Sequence, residues 1–165
     1  MVYRGYVLPS AADQVKKSHP VKAENREKRL NKKKVTAERS RIMSRVGGKD
    51  TKPELRVRKL LHALGYRFRL HRKDLPGTPD IVLPRWKSVI FVHGCFWHVH
   101  PGCKRATTPK TNVEFWDKKL KGNIARDAKS IEQLRELGYR CLVIWECETK
   151  NLDELADRLT AFLPR

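Results

Sequence analysis

The run His93-Gly-Cys95-Phe-Trp-His98-Val-His100-Pro-Gly-Cys103 places three histidines and two cysteines in eleven residues. Thiolates and imidazoles crowded this closely are the ligand types of zinc, which takes four of them tetrahedrally in structural sites. Two further cysteines, Cys141 and Cys147, fall in a predicted strand, Tyr139 to Cys147. Six residues of strand hold them ~20 Å apart, whereas thiolates on one zinc lie within about 4 Å of each other. One of the two is therefore a bystander, and a histidine completes the set. Cys147 stands at the strand's end beside a loop, where ligands can converge; Cys141 stands at its entry and reads as core. The expected ligands are Cys95, His100, Cys103 and Cys147, a closed set that fastens the long loop to the last strand. Free thiols in a reducing compartment leave the interleaved histidines without a purpose, and a disulfide needs an oxidising one.

His93 and His98 remain for other work, and imidazoles beside a strand end are candidates for acid–base chemistry. An acid is placed to join them. Pro79-Asp80 opens a short apolar strand whose hairpin partner, Ser88 to His93, ends in a histidine. Phosphodiester hydrolysis needs a carboxylate to hold a divalent metal, a base for the attacking water, and positive charge near the phosphate. Taken alone, Pro-Asp has a plainer reading, a turn aspartate capping a strand.

The elements that must position these groups are readable in part. Thr51-Lys-Pro-Glu54 has the form of a capping box with Pro53 in the first turn. Leu55, Leu60, Leu61 and Leu64 follow at helical spacing, and Gly65 supplies the stop. Tyr66 to Leu70 alternates with period two and predicts a half-buried strand. A turn-rich stretch, Leu75 to Pro79, leads into the strand Asp80 to Leu83, and Pro84 to Lys87 forms a hairpin turn into Ser88 to His93. After a loop from Gly94 to Thr111, Asn112 is expected to cap a helix through Lys121. A second helix follows from about Asn123 to Leu137, ended by Gly138. Asn151-x-x-Glu154 caps a last helix to about Phe162. The order α, β, β, β, α, α, β, α predicts an α/β class with a mixed sheet flanked by helices.

With 165 residues and 39% hydrophobic content, the chain can build one core and carry an appended arm. Its longest apolar runs are too short to span a bilayer, and no secretory signal is expected from its opening residues. The 37 Lys and Arg against 18 Asp and Glu give a net charge of +19. Such a balance favours a polyanionic partner, nucleic acid or an anionic membrane surface. Residues 1–46 hold +9 of that charge. From Glu24 to Arg45 the apolar members are sparse (Leu30, Val35, Ile42), too thin a face to dock firmly. This stretch is expected to be an arm that orders on a polyanion.

Taken together, several motifs resemble the very short patch repair (Vsr) endonucleases, bacterial enzymes that nick DNA beside T:G mismatches. They are Arg41-Ile-Met43-Ser-Arg-Val, Leu75-Pro-Gly-Thr-Pro-Asp80-Ile-Val, Val89-Ile-Phe-Val-His-Gly-Cys-Phe-Trp-His98, Glu114-Phe-Trp116, Lys121-Gly-Asn123-Ile-Ala-Arg-Asp127 and Val143-Ile-Trp-Glu-Cys147. The likeness runs from about Ser40 to Leu163, so residues 40–165 are expected to be the endonuclease domain and residues 1–39 the basic arm. It implies a restriction-endonuclease-like core with a structural zinc. It also implies that Asp80 holds Mg²⁺ with the backbone carbonyl of Val92. His98 is implied to position or deprotonate the attacking water, and His93 to support the hydrated metal and the phosphate. Phe96, Trp97 and Trp116 match aromatic side chains that the family wedges into the duplex, where unstacking is cheapest at a mispair. Met43 matches a contact to the opposite groove, with Val46 beside it. Glu54 matches an acidic residue near the active site, while capping explains it equally well. Two departures stand out: Val92 replaces the family's more frequent Thr, and His100 and Cys103 lie one residue further along than the family's second zinc His and Cys, with Gly102 as an extra residue in the loop.

The resemblance implies a magnesium-dependent endonuclease nicking one strand of double-stranded DNA at T:G mispairs from 5-methylcytosine deamination. Mismatch-repair proteins are possible partners, and the cytoplasm, at the bacterial nucleoid, is the implied location. A nuclease of the same fold with other specificity, homing or defence, is the enzymatic alternative. A zinc-stapled DNA-binding module without catalysis keeps the cysteines and the basic face but has no need of Asp80 and His98 together. Their joint presence favours an enzyme.

Overall fold

The computed structural model describes Arg41 and residues 47–163. The expected arm, Met43 and Val46 therefore lie outside the described residues. Two compact units divide the chain, residues 1–47 and 48–165, and the second carries the elements below.

Helix α1 (Lys52–Ala63) opens on Thr51 with both arms of the capping box in place. The Glu54 N–H donates to Thr51 Oγ1 at 3.4 Å, and Glu54 Oε2 accepts from the Thr51 N–H at 3.3 Å. Its buried stripe differs from the expected leucine face: Glu54, Val57, Arg58 and Leu61 point inward, while Leu55 is exposed. An ion pair between Glu54 and Arg58 makes burial of those two positions tolerable.

Four strands follow the order β1 (Arg69–Leu70), β2 (Ile81–Leu83), β3 (Ser88–His93) and β4 (Arg140–Trp145). The first two pairings are antiparallel; β3 and β4 run parallel, with His93 opposite Trp145. A parallel pair needs a long crossover, and here it contains helix α2 (Val113–Glu136). The closing helix, α3 (Leu152–Phe162), starts where Asn151 accepts from the Asp153 and Glu154 N–H groups.

Alternate residues of β3 face opposite layers, which is why Ser88 to Phe91 are buried without a break. Ile90 joins Val57, Leu61, Leu155 and Leu159 beneath α1 and α3. Val89 and Phe91 pack with Leu134 of α2 on the other face. The expected mixed sheet flanked by helices is thus present.

Three local expectations need correction. The stretch from Tyr66 pairs only at Arg69 and Leu70, and Leu70 is exposed rather than half-buried. Tyr66 instead turns into the core, where its hydroxyl donates to the Leu163 carbonyl at 2.6 Å. The two helices expected between residues 112 and 137 are one helix of 24 residues. Gly122 sits within it on an open face, and the ~1 kcal/mol a mid-helix glycine costs is outweighed by packing on either side. Asn112 lies at the start of α2, in left-handed conformation and without a side-chain cap bond.

Candidate active site and metal centre

Both candidate sites lie at the end of the sheet where β2 begins and β3 and β4 finish. Asp80 immediately precedes β2, and its Oδ2 accepts the Val92 N–H at 2.7 Å. That bond ties the carboxylate to the strand that carries His93. Burial raises the Asp80 carboxyl above its ordinary value, opposed by the Val92 N–H and by His71, Arg58 and His98. The preceding turn admits a glycine alone at position 77, where φ is +70° and a Cβ would stand 2.6 Å from Ser130 Cβ of α2. This close approach sets the wall of a cavity of about 320 Å³ lined by Lys49, His71, Asp80, His93, His98 and Asp127, among others.

The two expected histidines meet in that cavity. The His93 and His98 rings stack with centroids 3.9 Å apart and planes 9° from parallel. Burial first, and the neighbouring His98 second, push the His93 imidazole down to about 4, so it is neutral at pH 7. His98 Nδ1 lies 2.5 Å from Asp127 Oδ2. A carboxylate there fixes the proton on Nδ1 and leaves the lone pair on Nε2, the arrangement of a general base oriented by an acid.

Sequence reasoning quoted Asp127 within a motif but gave it no role. The signal was the pair Asn123 and Asp127, one turn apart on the helix already expected from about Asn123. Asn123 is buried and donates from Nδ2 to the Trp97 carbonyl at 2.8 Å. His71 was missed altogether. The antiparallel register that pairs Leu70 with Ile81 sets residue 71 opposite residue 80, and no local spacing reports this. Glu54 serves both readings given to it. It caps α1, and its Oε1 lies 3.1 Å from His71 Nε2, behind the cavity wall.

Cys95, His100, Cys103 and Cys147 form the second cluster, with all four ligating atoms within 4.8 Å of one another. His100 Nδ1 is 3.3 Å from Cys147 Sγ and 3.7 Å from Cys95 Sγ. Tetrahedral zinc, with Zn–S near 2.3 Å and Zn–N near 2.0 Å, sets these at about 3.5 Å. The donors fit the ion. Burial pushes the Cys95 thiol up to about 12, and the Arg105 N–H lowers that of Cys103; a dication among them is the charge that would hold all three as thiolates. Cys141, the expected bystander, packs with Ile131, Tyr139 and Val143 against the second apolar cluster, in keeping with its reading as core.

Phe96, Trp97 and Trp116 gather into one half-buried group with centroids 5.1 to 6.0 Å apart. Phe115, which the sequence reading did not single out, joins Trp116 edge-on at 5.3 Å and is 61% exposed.

Residues 31–105 match the family model described as DNA mismatch endonuclease Vsr. The chain is 42% identical over 121 residues to the DNA mismatch endonuclease Vsr of Escherichia coli (strain K12), covering 73% of this chain and 77% of that protein. It belongs to the Vsr family. This Vsr-family chain is thus a DNA endonuclease, as the resemblance implied. Other relatives are named type II nicking enzymes. V.XorIIP of Xanthomonas oryzae pv. oryzae is 50% identical over 130 residues, which is 78% of this chain and 95% of that one. V.NmeAIP of Neisseria meningitidis serogroup A is 44% identical over 125 residues, 76% and 89% of the two chains. The catalytic domain of homing endonuclease I-Bth0305I overlays with a TM-score of 0.47 at 22% identity, covering 68% of this chain and 94% of that one. That likeness is too slight to bear on function. Among the described residues, no helix is long and apolar enough to cross a membrane.

Proposed function

We propose that this Vsr-family chain nicks one strand of duplex DNA beside T:G mispairs left by 5-methylcytosine deamination, using Mg²⁺. The observation that carries the reading is the convergence of Asp80, His93 and the His98–Asp127 pair on one cavity. Magnesium keeps most of its water and is bound by one or two carboxylates together with substrate phosphates, and a cavity with Asp80 at its wall fits that habit. Asp80 and the Val92 carbonyl are the groups that hold the ion, which supplies charge neutralisation at the scissile phosphate. His98 takes a proton from the attacking water at Nε2, while Asp127 steadies the imidazolium through Nδ1. His93, neutral and stacked on His98, faces the phosphate. Zinc on Cys95, His100, Cys103 and Cys147 is structural and holds the loop that carries His98.

Recognition falls to Phe96, Trp97 and Trp116, which wedge into the duplex where a mispair makes unstacking least costly. Met43 is the proposed contact from the opposite groove. Action on chromosomal DNA places the protein in the bacterial cytoplasm, with mismatch-repair proteins as proposed partners.

Nicking of a T:G duplex in 5′-CTWGG context with Mg²⁺, beside a T:A duplex and an Asp80→Ala protein, tests this. T:G-dependent nicking that the variant lacks is the expected result. Equal cutting of both duplexes would sink the mismatch specificity and leave an endonuclease of other preference. Full activity in the variant would remove Asp80 from the mechanism.

A further inference from the structure

Behind the cavity, Arg58 is buried and its guanidinium gathers three groups. Nη1 donates to Asp50 Oδ1 at 2.6 Å, while Nη2 contacts Glu54 Oε1 and lies 2.8 Å from His71 Nε2. A guanidinium has donors and no acceptor. The 2.8 Å contact is therefore a hydrogen bond only if His71 Nε2 carries the lone pair. Glu54 Oε1, 3.1 Å from the same nitrogen, would accept from an Nε2–H instead, but it is already paired with Nη2 and lies further away than the guanidinium. In the neutral ring the proton must then sit on Nδ1, the nitrogen that faces Asp80 Oδ1 at 4.0 Å. Free imidazole side chains have no such bias; here the closer group, an arginine that always carries its protons, sets it against the Glu54 carboxylate.

The backbone reinforces the placement. His71 has a φ of +46°, a conformation uncommon for residues other than glycine, asparagine and aspartate. Its N–H donates to the Asp80 carbonyl at 3.4 Å, so residue 71 is tied to residue 80 through the main chain and faces it through the side chain. Asp80 is thus addressed on both oxygens: the Val92 N–H on Oδ2 and the His71 ring on the side of Oδ1.

We propose that His71 is a positioning residue for Asp80, its ring held in the Nδ1–H tautomer by Arg58 so that an N–H dipole faces the carboxylate. This rests on the reading of Asp80 as the metal-holding group. Carboxylates that hold metals are themselves held, and loss of such a partner costs about 10- to 100-fold in affinity or activity. The Asp50–Glu54–His71 cluster is not read as a second cation site, because the guanidinium already occupies it.

Two measurements test the inference. Long-range proton–nitrogen correlation spectra of the full-length chain at pH 8 report which His71 nitrogen is protonated, independently of catalysis. The expected result is Nδ1–H; Nε2–H overturns the proposal whatever the enzyme does. For function, His71→Gly removes the ring at a position whose φ suits glycine, and His71→Asn keeps a donor near the place of Nδ1 and tolerates the same φ. Glycine is expected to lower the nicking kcat about 10- to 100-fold with the KM for the T:G duplex unchanged, and asparagine to restore most of it. Equal loss in both variants, or loss in neither, overturns the role. Should Asp80→Ala retain activity, the catalytic reading of Asp80 falls, and the tautomer measurement still decides the proton's place.

Discussion

Asp127→Ala isolates the claim that His98 acts as an oriented base. The pair is held at 2.5 Å with about a quarter of each side chain exposed. Hydrogen bonds to charged groups contribute about 1.5–3 kcal/mol, and each 1.36 kcal/mol is tenfold in rate. Partial exposure favours the lower part of that range, so kcat should fall about 10- to 50-fold. The KM for duplex should stay put, because Asp127 reaches the substrate only through His98. Asp127→Asn should be no better than alanine: its amide can donate to Nδ1, which moves the ring proton to Nε2 and removes the base. The analogous change in serine proteases costs on the order of 10⁴. Single-turnover nicking of a T:G duplex at saturating Mg²⁺ reads this directly, with zinc content and thermal midpoint measured on the same preparations. An asparagine variant within threefold of wild type would refute the tautomer argument, whatever alanine does.

Cys147→Ser should reduce bound zinc from one equivalent toward none in elemental analysis and lower the thermal midpoint; retention of a full equivalent would remove Cys147 from the ligand set. Gly77→Ala should destabilise the fold by about 1–3 kcal/mol, since its Cβ would stand 2.6 Å from Ser130 Cβ at a φ of +70°. Adding Ser130→Gly should recover the clash portion and leave the φ penalty, a non-additivity that a double-mutant cycle in urea resolves. His93 titrates at about 4 in the fold against 6.5 for the ordinary group. Between those values the unfolded chain binds the proton first, so stability present at pH 7 is lost as pH falls from about 6.5 to about 4, by about 3 kcal/mol. The difference in unfolding free energy between wild type and His93→Phe, from urea titrations, should therefore shift by this amount on acidification across that window; an unchanged difference would contradict it.

Much of the site was legible because its residues are crowded in sequence. One loop carries Cys95, His98, His100 and Cys103, and strand geometry alone chose Cys147 over Cys141. Motifs of consecutive residues made the family recognisable. The hidden parts depend on register and on which loop a helix packs against. His71 reaches Asp80 because β1 and β2 pair as they do, and short strands give little periodic signal to fix pairing. Asp127 sits on a helix the sequence did predict, but only the fold brings that helix against the loop that carries His98. Glu54 and Arg58 were overlooked as an inward stripe because hydrophobic spacing cannot show two buried charges that satisfy each other.

Trp97 and His98 are neighbours in the chain, and α2 grips them one turn apart, Asn123 on the Trp97 carbonyl and Asp127 on the His98 ring. The part of the molecule proposed to read the mispair and the part proposed to cut therefore share one rigid mount. An engineer who swaps the reading loop disturbs the blade, and selection for faster cutting perturbs what is read. Retargeting such an enzyme is easier from surfaces that do not share the mount.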